Sequence, residues 1–283
     1  MSLDSARQQA YKLLRDAKFP QVDAVATHAT TAMRFTVFEG KVSIGGSRIG
    51  GAPDVPAGFV WPHHNNTPLA FLLQLDLAEV RAAFGQSLLP DCGRLLFFYE
   101  AVEQPWGFDP KDRGAWRVIY DNSANVASQS PPPSMPPEEC FPEAQLRYYI
   151  AAALPSPTWL AEHGPELDEA AEELYWELYQ QLDPMETCNQ LLGDPDPIQG
   201  EMELECQLVS NGIYVGDASG YESGKARALE AGAKDWVLLL QLDSNEDSVD
   251  MMWGDCGRLY FWIRKQDLRD RNFEAVWMVL QCT

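Results

Sequence analysis

The chain has 283 residues, of which 46% are hydrophobic, and its 42 acidic and 21 basic residues give a formal net charge of −21. This composition is typical of a folded globular protein and excludes an intrinsically disordered chain. The shortage of Lys and Arg argues against direct binding to nucleic acid, and no apolar run approaches the ~20 residues of a membrane span.

The N-terminal segment predicts an amphipathic helix, a strand and a loop. Apolar residues recur at helical spacing after Asp4 or Ser5, and Phe19-Pro20 ends the pattern. The segment lacks the charged-then-apolar layout of a secretory signal, so we expect a cytoplasmic protein with reduced thiols. A strand follows at about 34–44, and the glycine-rich stretch 45–53 predicts a loop.

Three strands and a short helix are predicted next. Apolar residues occupy one face of 71–76, and Gln74 and Asp76 occupy the other. Asp76 and Glu79 have the spacing of a capping box, which predicts a short helix directly after this strand. The segments 94–100 and 116–120 predict the second and third strands.

The middle of the chain combines a crossing and an acidic segment. Residues 122–142 are rich in Ser and Pro and predict a linker or a surface crossing. Residues 143–190 predict an acidic helical segment, with one helix opening at Ser156-Pro157 and another from Pro165 to about Leu182. From 148 to 224 there are sixteen of the 42 acidic residues and no Lys or Arg. The simpler interpretation is a solvated surface, and the alternative is a face that attracts a basic protein or a cation.

Two blocks of the sequence are repeated. Leu-Leu-Gln-Leu-Asp at 72–76 returns at 239–243, and Asp-Cys-Gly-Arg-Leu at 91–95 returns at 255–259. Gly-Asp-Pro-Asp at 193–196 also echoes Gly-Ala-Pro-Asp at 51–54. Blocks in the same order point to a duplicated structural unit. We therefore predict an α+β fold in which internally duplicated, mixed or antiparallel sheet units form a single compact domain over 1–283, with a first repeat unit at 34–121 and a second at 191–283.

The repeated polar residues are the candidate ligand site. If the repeated strands are neighbours, Asp76 meets Arg94 and Asp243 meets Arg258. Such ion pairs serve the sheet structurally, which is the simpler interpretation. The alternative is a ligand-binding or catalytic groove between the repeats, where burial could separate the pKa values of carboxylates. The candidate groove residues are Arg48, Trp61, Gln74, Asp76, Arg94, Gln241, Asp243 and Arg258.

A second hypothesis is a calcium loop. Asp243, Asn245 and Asp247 match the first three liganding positions of a calcium-binding loop. The pattern then fails, because Ser248 stands at the glycine position and Gly254 at the position of the closing glutamate. An ordinary acidic loop is the simpler interpretation. Calcium is the single candidate cofactor.

Catalytic motifs are not found. His63 and His64 are adjacent on an extended segment and point apart, and the six cysteines form no C-x-x-C pair. The sequence contains no motif typical of a Ser-His-Asp triad, no H-E-x-x-H zinc motif and no phosphate-binding loop. We assign no catalytic residue, and this leaves the enzyme question open while favouring a protein without catalysis.

Several stretches are distinctive in combination. They are Ser-Arg-Ile-Gly-Gly-Ala-Pro at 47–53, Pro56, Trp61-Pro62, Pro68-Leu69, the first Leu-Leu-Gln-Leu-Asp block, Leu-Gly-Asp-Pro-Asp-Pro-Ile-Gln-Gly at 192–200 and Trp-Gly-Asp-Cys-Gly-Arg-Leu-Tyr-Phe at 253–261. Together they resemble the bacterial YwqG-like family over most of the chain. The resemblance implies a mixed α+β domain of unknown function without agreed catalytic residues, and weakly suggests an immunity-type, protein-binding inhibitor.

The sequence therefore favours a cytoplasmic, non-enzymatic binding protein with a basic protein partner. An immunity-type inhibitor is one protein of this kind. The alternatives are a small-ligand-binding protein or enzyme that uses the groove between the repeats, and a calcium-binding protein. Segregated negative charge supports the first hypothesis, and the repeated polar residues support the second.

Overall fold

The computed structural model describes residues 2–85, 87–182 and 187–283. Residues 183–186 of the predicted acidic segment therefore lie outside the described residues. Within these ranges no helix combines the length and the apolar character needed to cross a membrane. The protein is a mixed helix-and-sheet structure built on one large antiparallel sheet.

Among the described residues, ten strands form the main sheet, and four short strands form two small ribbons. The strands are β1 (Thr30–Phe38), β2 (Arg48–Ile49), β3 (Asp54–Val55), β4 (His63–His64), β5 (Thr67–Pro68), β6 (Ala70–Asp76), β7 (Arg94–Tyr99), β8 (Trp116–Asp121), β9 (Ala127–Ser128), β10 (Ala144–Ala153), β11 (Asn189–Leu191), β12 (Trp236–Asp243), β13 (Arg258–Arg264) and β14 (Trp277–Gln281). The order of the main sheet is β14-β13-β12-β11-β1-β10-β2-β6-β7-β8, and β3–β9 and β4–β5 are the ribbons.

The helices are short except for two. They are α1 (Leu3–Asp16), α2 (Val22–Ala26), α3 (Leu77–Phe84), α4 (Pro157–His163), α5 (Glu169–Leu182), α6 (Glu203–Ser210), α7 (Ala218–Glu222), α8 (Gly224–Leu229), α9 (Glu246–Val249) and α10 (Lys265–Arg269).

The two Leu-Leu-Gln-Leu-Asp blocks form β6 and β12, and each pairs with the next strand in the same register. Gln74 faces Leu96, and Asp76 faces Arg94. Gln241 faces Tyr260, and Asp243 faces Arg258. In both ladders the pairing register shifts at a bulge, where the first leucine of the block has no partner residue on the next strand. The Gln and Asp of each block follow the bulge and are paired in the same way in both ladders.

The strand order also places four strands on each side of a central pair. Strands β1 and β10 pair along their whole lengths, from Thr30 opposite Ala153 to Phe38 opposite Gln145. On one side follow β11, β12, β13 and β14, and on the other β2, β6, β7 and β8. The two strands of the central pair thus lie between the sets of strands that carry the repeated blocks.

Strand β10 is the largest departure from the sequence prediction. Residues 143–190 were expected to be helical, but Ala144–Ala153 is a ten-residue strand. The first predicted strand, 34–44, is likewise shifted to Thr30–Phe38. Both differences have one cause: β1 and β10 pair with each other across more than a hundred residues of chain, and such non-local pairing overrides local propensity.

The sheet curls until its edge strands approach each other. Trp116 of β8 donates from Nε1 to the carbonyl oxygen of Val276 at 2.9 Å, next to β14. The rings of Trp116 and Trp277 lie 4.9 Å apart in an edge-to-face contact. The result is a nearly closed sheet whose inner face carries one hydrophobic core, shared by both halves of the chain.

The helices α1, α2, α4 and α5 form a second hydrophobic cluster with residues such as Leu14, Tyr175 and Leu178.

Ser156 caps α4, as predicted, by accepting a hydrogen bond from the backbone N–H of Trp159 at 3.0 Å. The predicted capping box at α3 is half formed. Asp76 caps the helix, whereas Glu79 accepts from the backbone N–H of Ser47 at 3.0 Å and ties α3 to the glycine-rich loop.

Candidate functional site

The first repeat holds a buried arginine cluster. Arg48 of β2 bonds through Nη2 to the carboxylate of Asp54 and through Nη1 to Glu143 at 3.0 Å. Gln74 of β6 accepts from the backbone N–H of Asp54 at 2.8 Å and donates to the carbonyl oxygen of Gly46 at 2.9 Å. Arg48 is 2% exposed, and Asp54 and Gln74 are fully buried. The cluster thus fastens the glycine-rich loop to the sheet.

The second repeat holds a corresponding cluster that is more accessible. Arg258 of β13 donates from Nε to Asp243 at 3.0 Å and from Nη1 to the carboxylate of Asp196 at 2.6 Å. Gln241 accepts from the backbone N–H of Asp196 at 2.9 Å and donates to the carbonyl oxygen of Cys188 at 2.8 Å. The amide of Gln241 therefore has the same role as that of Gln74, which is to hold an aspartate-bearing loop.

The electrostatics of this second cluster are those of a fixed cation with neutralising carboxylates. Burial by itself lowers the pKa of Arg258, but Asp196 and the other negative groups around it outweigh burial and hold its pKa above the usual range. Burial raises the pKa of the Cys188 thiol to about 11, although Arg34 opposes the shift. The thiol is therefore protonated near neutral pH, which argues against a nucleophilic role.

The predicted ion pairs have different outcomes in the two repeats. Asp243 and Arg258 are bonded, as described above. Asp76 and Arg94 are opposite each other in the ladder, but the ion pair of Arg94 is with Asp121 at 2.6 Å. Asp76 instead caps α3, because the N-terminus of a helix offers its carboxylate a backbone N–H.

The structure does not gather the eight candidate groove residues into one groove. The first-repeat residues and the second-repeat residues lie on opposite sides of β1 and β10. Trp61 is 4% exposed and belongs to a small separate core, where its Nε1 donates to the carbonyl oxygen of Leu69 at 2.8 Å. Only five of them belong to the two polar clusters, which are separated because the non-repeated strands β1 and β10 lie between the repeated hairpins. Arg48 and Gln74 belong to the first cluster, and Gln241, Asp243 and Arg258 belong to the second.

The proposed calcium loop is part of a hydrogen-bond network. Asp243 accepts from the backbone N–H of Cys188 at 2.6 Å as well as from Arg258. Asn245 is 2% exposed and exchanges hydrogen bonds with Asn189 at 2.9 and 3.1 Å, whereas Asp247 is exposed. Within the described ranges no group of three or more His, Cys, Asp or Glu side chains is arranged to hold a metal ion. The geometry favours a structural role for Asp243 and Asn245.

Helix α5 presents an acidic face with an aromatic centre. Trp176 is 52% exposed. Glu172 and Glu173, which precede it by one turn, and Glu177 are all exposed. Residues three and four apart share a helix face, so Glu172 and Glu173 lie beside the indole, whereas Glu177 lies on the adjoining face. The apolar face of α5 packs into the second hydrophobic cluster, which holds the acidic face outward.

Cavities flank Trp176 on both sides. One, of about 620 Å³, lies between α4 and α5 and includes Glu166, Leu167 and Glu172. The other, of about 530 Å³, lies between α5 and the loop 194–198 and reaches Arg258. The indole thus forms a ridge between two concave surfaces. Trp176 is not among the residues predicted from the sequence, although an apolar residue on the polar side of the helical pattern was the available signal.

A cluster of titratable side chains that the sequence analysis did not predict surrounds His64. Its Nδ1 lies 3.6 Å from Oε2 of Glu100, a residue that is 6% exposed. Burial, together with the negative charges of Glu138 and Glu100, raises the pKa of Glu139 to about 7. These residues come from three different segments of the chain, so their spacing in the sequence did not indicate that they lie close together.

We expect the variant Glu139→Gln to be more stable than the wild type at pH 8 and equally stable at pH 4. Because the pKa is raised from 4.5 to about 7 on folding, the folded state keeps a proton that the unfolded state has lost, and stability falls as pH rises through this window. The measurement is the melting temperature from pH 4 to pH 8, with a gain of a few degrees at the upper end. Glu222→Gln, which removes an exposed carboxylate elsewhere in the chain, is the control, and equal pH profiles for wild type and Glu139→Gln would contradict the expectation.

Comparison with known proteins adds the family and no activity. A family model described as a domain of unknown function, DUF1963, matches residues 47–282. The match begins at the glycine-rich loop and covers both polar clusters as well as α5. No curated protein matches the chain.

Proposed function

The chain belongs to the DUF1963 family, a domain of unknown function, and we propose that it is a non-enzymatic binding protein that docks a basic protein through the acidic face of α5. The exposed Trp176, beside the exposed carboxylates of Glu172 and Glu173, is the observation that carries this proposal. An immunity-type inhibitor of a basic protein is one function that fits such a surface.

Trp176 has the properties of an interface anchor. Tryptophan is enriched among the residues that dominate binding energy, and here it stands between two cavities into which partner side chains can pack. Its ring face also attracts the guanidinium of an arginine or the ammonium of a lysine, which is worth about 0.5–2 kcal/mol. A basic partner would gain from both properties, whereas an acidic one would meet Glu172, Glu173 and Glu177.

The charge distribution supports the same partner. The segment 148–224 contains no Lys or Arg, so nothing within it neutralises the carboxylates of α5. A surface of one sign attracts a partner of the other sign and accelerates association, and salt screens this attraction. Catalysis has less support, because Arg48, Gln74 and Gln241 are buried in hydrogen-bonded clusters.

We further infer that the scaffold arose by internal duplication and works in the cytoplasm. The shared register and bulge of β6–β7 and β12–β13 support the duplication, as do the equivalent roles of Gln74 and Gln241. The six cysteines are all free thiols, which supports a reducing compartment. In this view the paired hairpins supply the scaffold, and the non-repeated α5 supplies the binding surface.

We expect the immobilised protein to retain basic proteins from a lysate of its source at low salt and to release them at high salt. Trp176→Ala is expected to weaken binding of the retained partner about tenfold, equivalent to about 1.4 kcal/mol. The triple variant Glu172→Gln, Glu173→Gln, Glu177→Gln is expected to reduce both the affinity and its salt dependence. Binding is measured by calorimetry with the purified partner.

Two matched variants serve as controls for this experiment. Trp106→Ala removes another exposed tryptophan, and Glu246→Gln, Asp247→Asn, Asp250→Asn neutralises three exposed acids near α9. Neither should affect binding. Retention of partners that are not basic, or equal binding by Trp176→Ala and wild type, would rule out the proposed surface.

A further inference from the structure

The cavity between α5 and the loop 194–198 has features that protein docking does not explain. Its volume of about 530 Å³ lies within the range of small-molecule sites. One wall is the end of β10, another is α5, and the floor contains the guanidinium of Arg258. The cavity is therefore bounded by sheet and helix residues on two sides and by the loop 194–198 on another.

Hydrogen bonds leave one end of Arg258 available. Its Nε donates to Asp243, and its Nη1 donates to the carboxylate of Asp196 at 2.6 Å and to the backbone carbonyl of Asp196 at 2.8 Å. Its Nη2 bonds neither of these carboxylates. The Tyr260 hydroxyl, which donates to the backbone carbonyl of Asp196 at 2.8 Å, lies beside the same guanidinium. The Nη2 end of this rigidly held cation is thus not taken up by the carboxylates, in a side chain that is 19% exposed and lines the cavity.

The surrounding groups decide the chemistry of the occupant. Asp196 is already satisfied, because Arg258 bonds one carboxylate oxygen and the Tyr179 hydroxyl donates to the other at 2.7 Å. The remaining lining is mixed: Trp176, Pro197 and Ile198 form an apolar side, and Arg34, Gln180 and Asp194 are polar. An occupant therefore needs an oxygen acceptor for Nη2 and a flat apolar body for the apolar side.

We propose that this cavity binds a small organic carboxylate, with one carboxylate oxygen accepting from Nη2 of Arg258 and a planar apolar body against Trp176 and Ile198. A carboxylate matches the guanidinium better than a neutral carbonyl does, since charge-assisted hydrogen bonds are about twice as strong. The net charge of −21 opposes anion entry at long range. Salt screens this long-range repulsion more than it screens the close contact between the carboxylate and Arg258. The affinity for the carboxylate should therefore not fall as the salt concentration rises.

The test uses three probes with the same ring: benzoate, benzamide and benzylammonium. We expect benzoate to bind and to raise the melting temperature, benzamide to bind at least about fivefold more weakly, and benzylammonium not to bind. Affinities are measured by calorimetry at two salt concentrations. No binding of benzoate, or tighter binding of benzylammonium than of benzoate, would overturn the proposal.

Two variants locate the site. Ala153→Phe places a ring in the cavity from the end of β10 and is expected to weaken benzoate binding at least about tenfold, whereas Ala24→Phe, at an exposed position of α2 outside the cavity, should not. Arg258→Gln removes the donor and is interpreted once circular dichroism shows that it folds. Benzoate binding that survives in Ala153→Phe would place the ligand elsewhere and overturn the assignment. Neither Ala153 nor Arg258 belongs to the acidic face of α5, so this proposal and the docking proposal fail separately.

Discussion

Replacing Arg48 by methionine is expected to reduce the free energy of unfolding by about 3–5 kcal/mol, the range for breaking a buried ion pair from one side. The side chains of Arg48 and Asp54 are 3% and 0% exposed. Removing the guanidinium leaves the Asp54 carboxylate buried with N–H donors from Gly45 and Gln74 but without a balancing charge. Two of the carbonyl oxygens that Arg48 fastens, those of Ser43 and Ala52, would also lose a donor.

Urea denaturation measures this loss, and an exposed ion pair provides the control. Arg81 and Asp91 lie 2.7 Å apart with side chains 52% and 59% exposed, so Arg81→Met should cost less than about 1 kcal/mol. The double variant Arg48→Met, Asp54→Asn should be more stable than Arg48→Met alone, because it no longer buries an unpaired charge. Similar stability losses for Arg48→Met and Arg81→Met would mean that the buried cluster does not hold the loop.

The second large effect is expected from Trp253→Ala, with a loss of about 3–5 kcal/mol. Trp253 is fully buried, and its ring contacts those of Tyr99 and Phe141 with centroids 5.8 and 5.9 Å away. Both partners precede the second repeat in the chain, so this side chain joins the two halves of the sheet. Its Nε1 also donates to the backbone carbonyl of Asp243 at 3.3 Å, directly beside the second polar cluster.

The form of the unfolding curve is as informative as its midpoint. Because one hydrophobic core extends through both halves, we expect wild type and Trp253→Ala to unfold in one cooperative transition. Trp106→Ala, at a position that is 37% exposed, should stay within about 0.5 kcal/mol of wild type. Two separated transitions in the wild type would show that the repeat units are independent domains.

The two polar clusters illustrate how similar sequences acquire different accessibility. The aspartates of Gly-Ala-Pro-Asp and Gly-Asp-Pro-Asp both receive an arginine and both have their backbone N–H bonded by a glutamine. In the first repeat the arginine comes from β2 and is enclosed by Glu143 and backbone carbonyls. In the second it comes from β13 and borders a cavity. The first cluster thus has a structural role alone, whereas the second has a structural role and also carries an accessible cation.

The local patterns predicted the two long helices, α1 and α5, and the strands β6, β7 and β8. Alternation in the Leu-Leu-Gln-Leu-Asp blocks predicted β6, and the repeated letters placed Asp243 opposite Arg258 correctly. The partner of Arg94 could not be predicted in the same way, since Asp121 lies on β8 and its approach depends on how three strands pair. The strand β10 was missed because its pairing partner lies more than a hundred residues earlier in the chain.

The sequence by itself determined the mixed α+β composition, the paired hairpins with their register, and the segregation of negative charge, since each depends on residues close together in the chain. Only the tertiary structure decided that β1 and β10 separate the two polar clusters, that Trp176 is exposed between two cavities, and that Arg258 keeps one end accessible. The physical reason is that burial and cavity shape result from contacts between distant segments. Local periodicity reports which residues share a face, but not what covers that face.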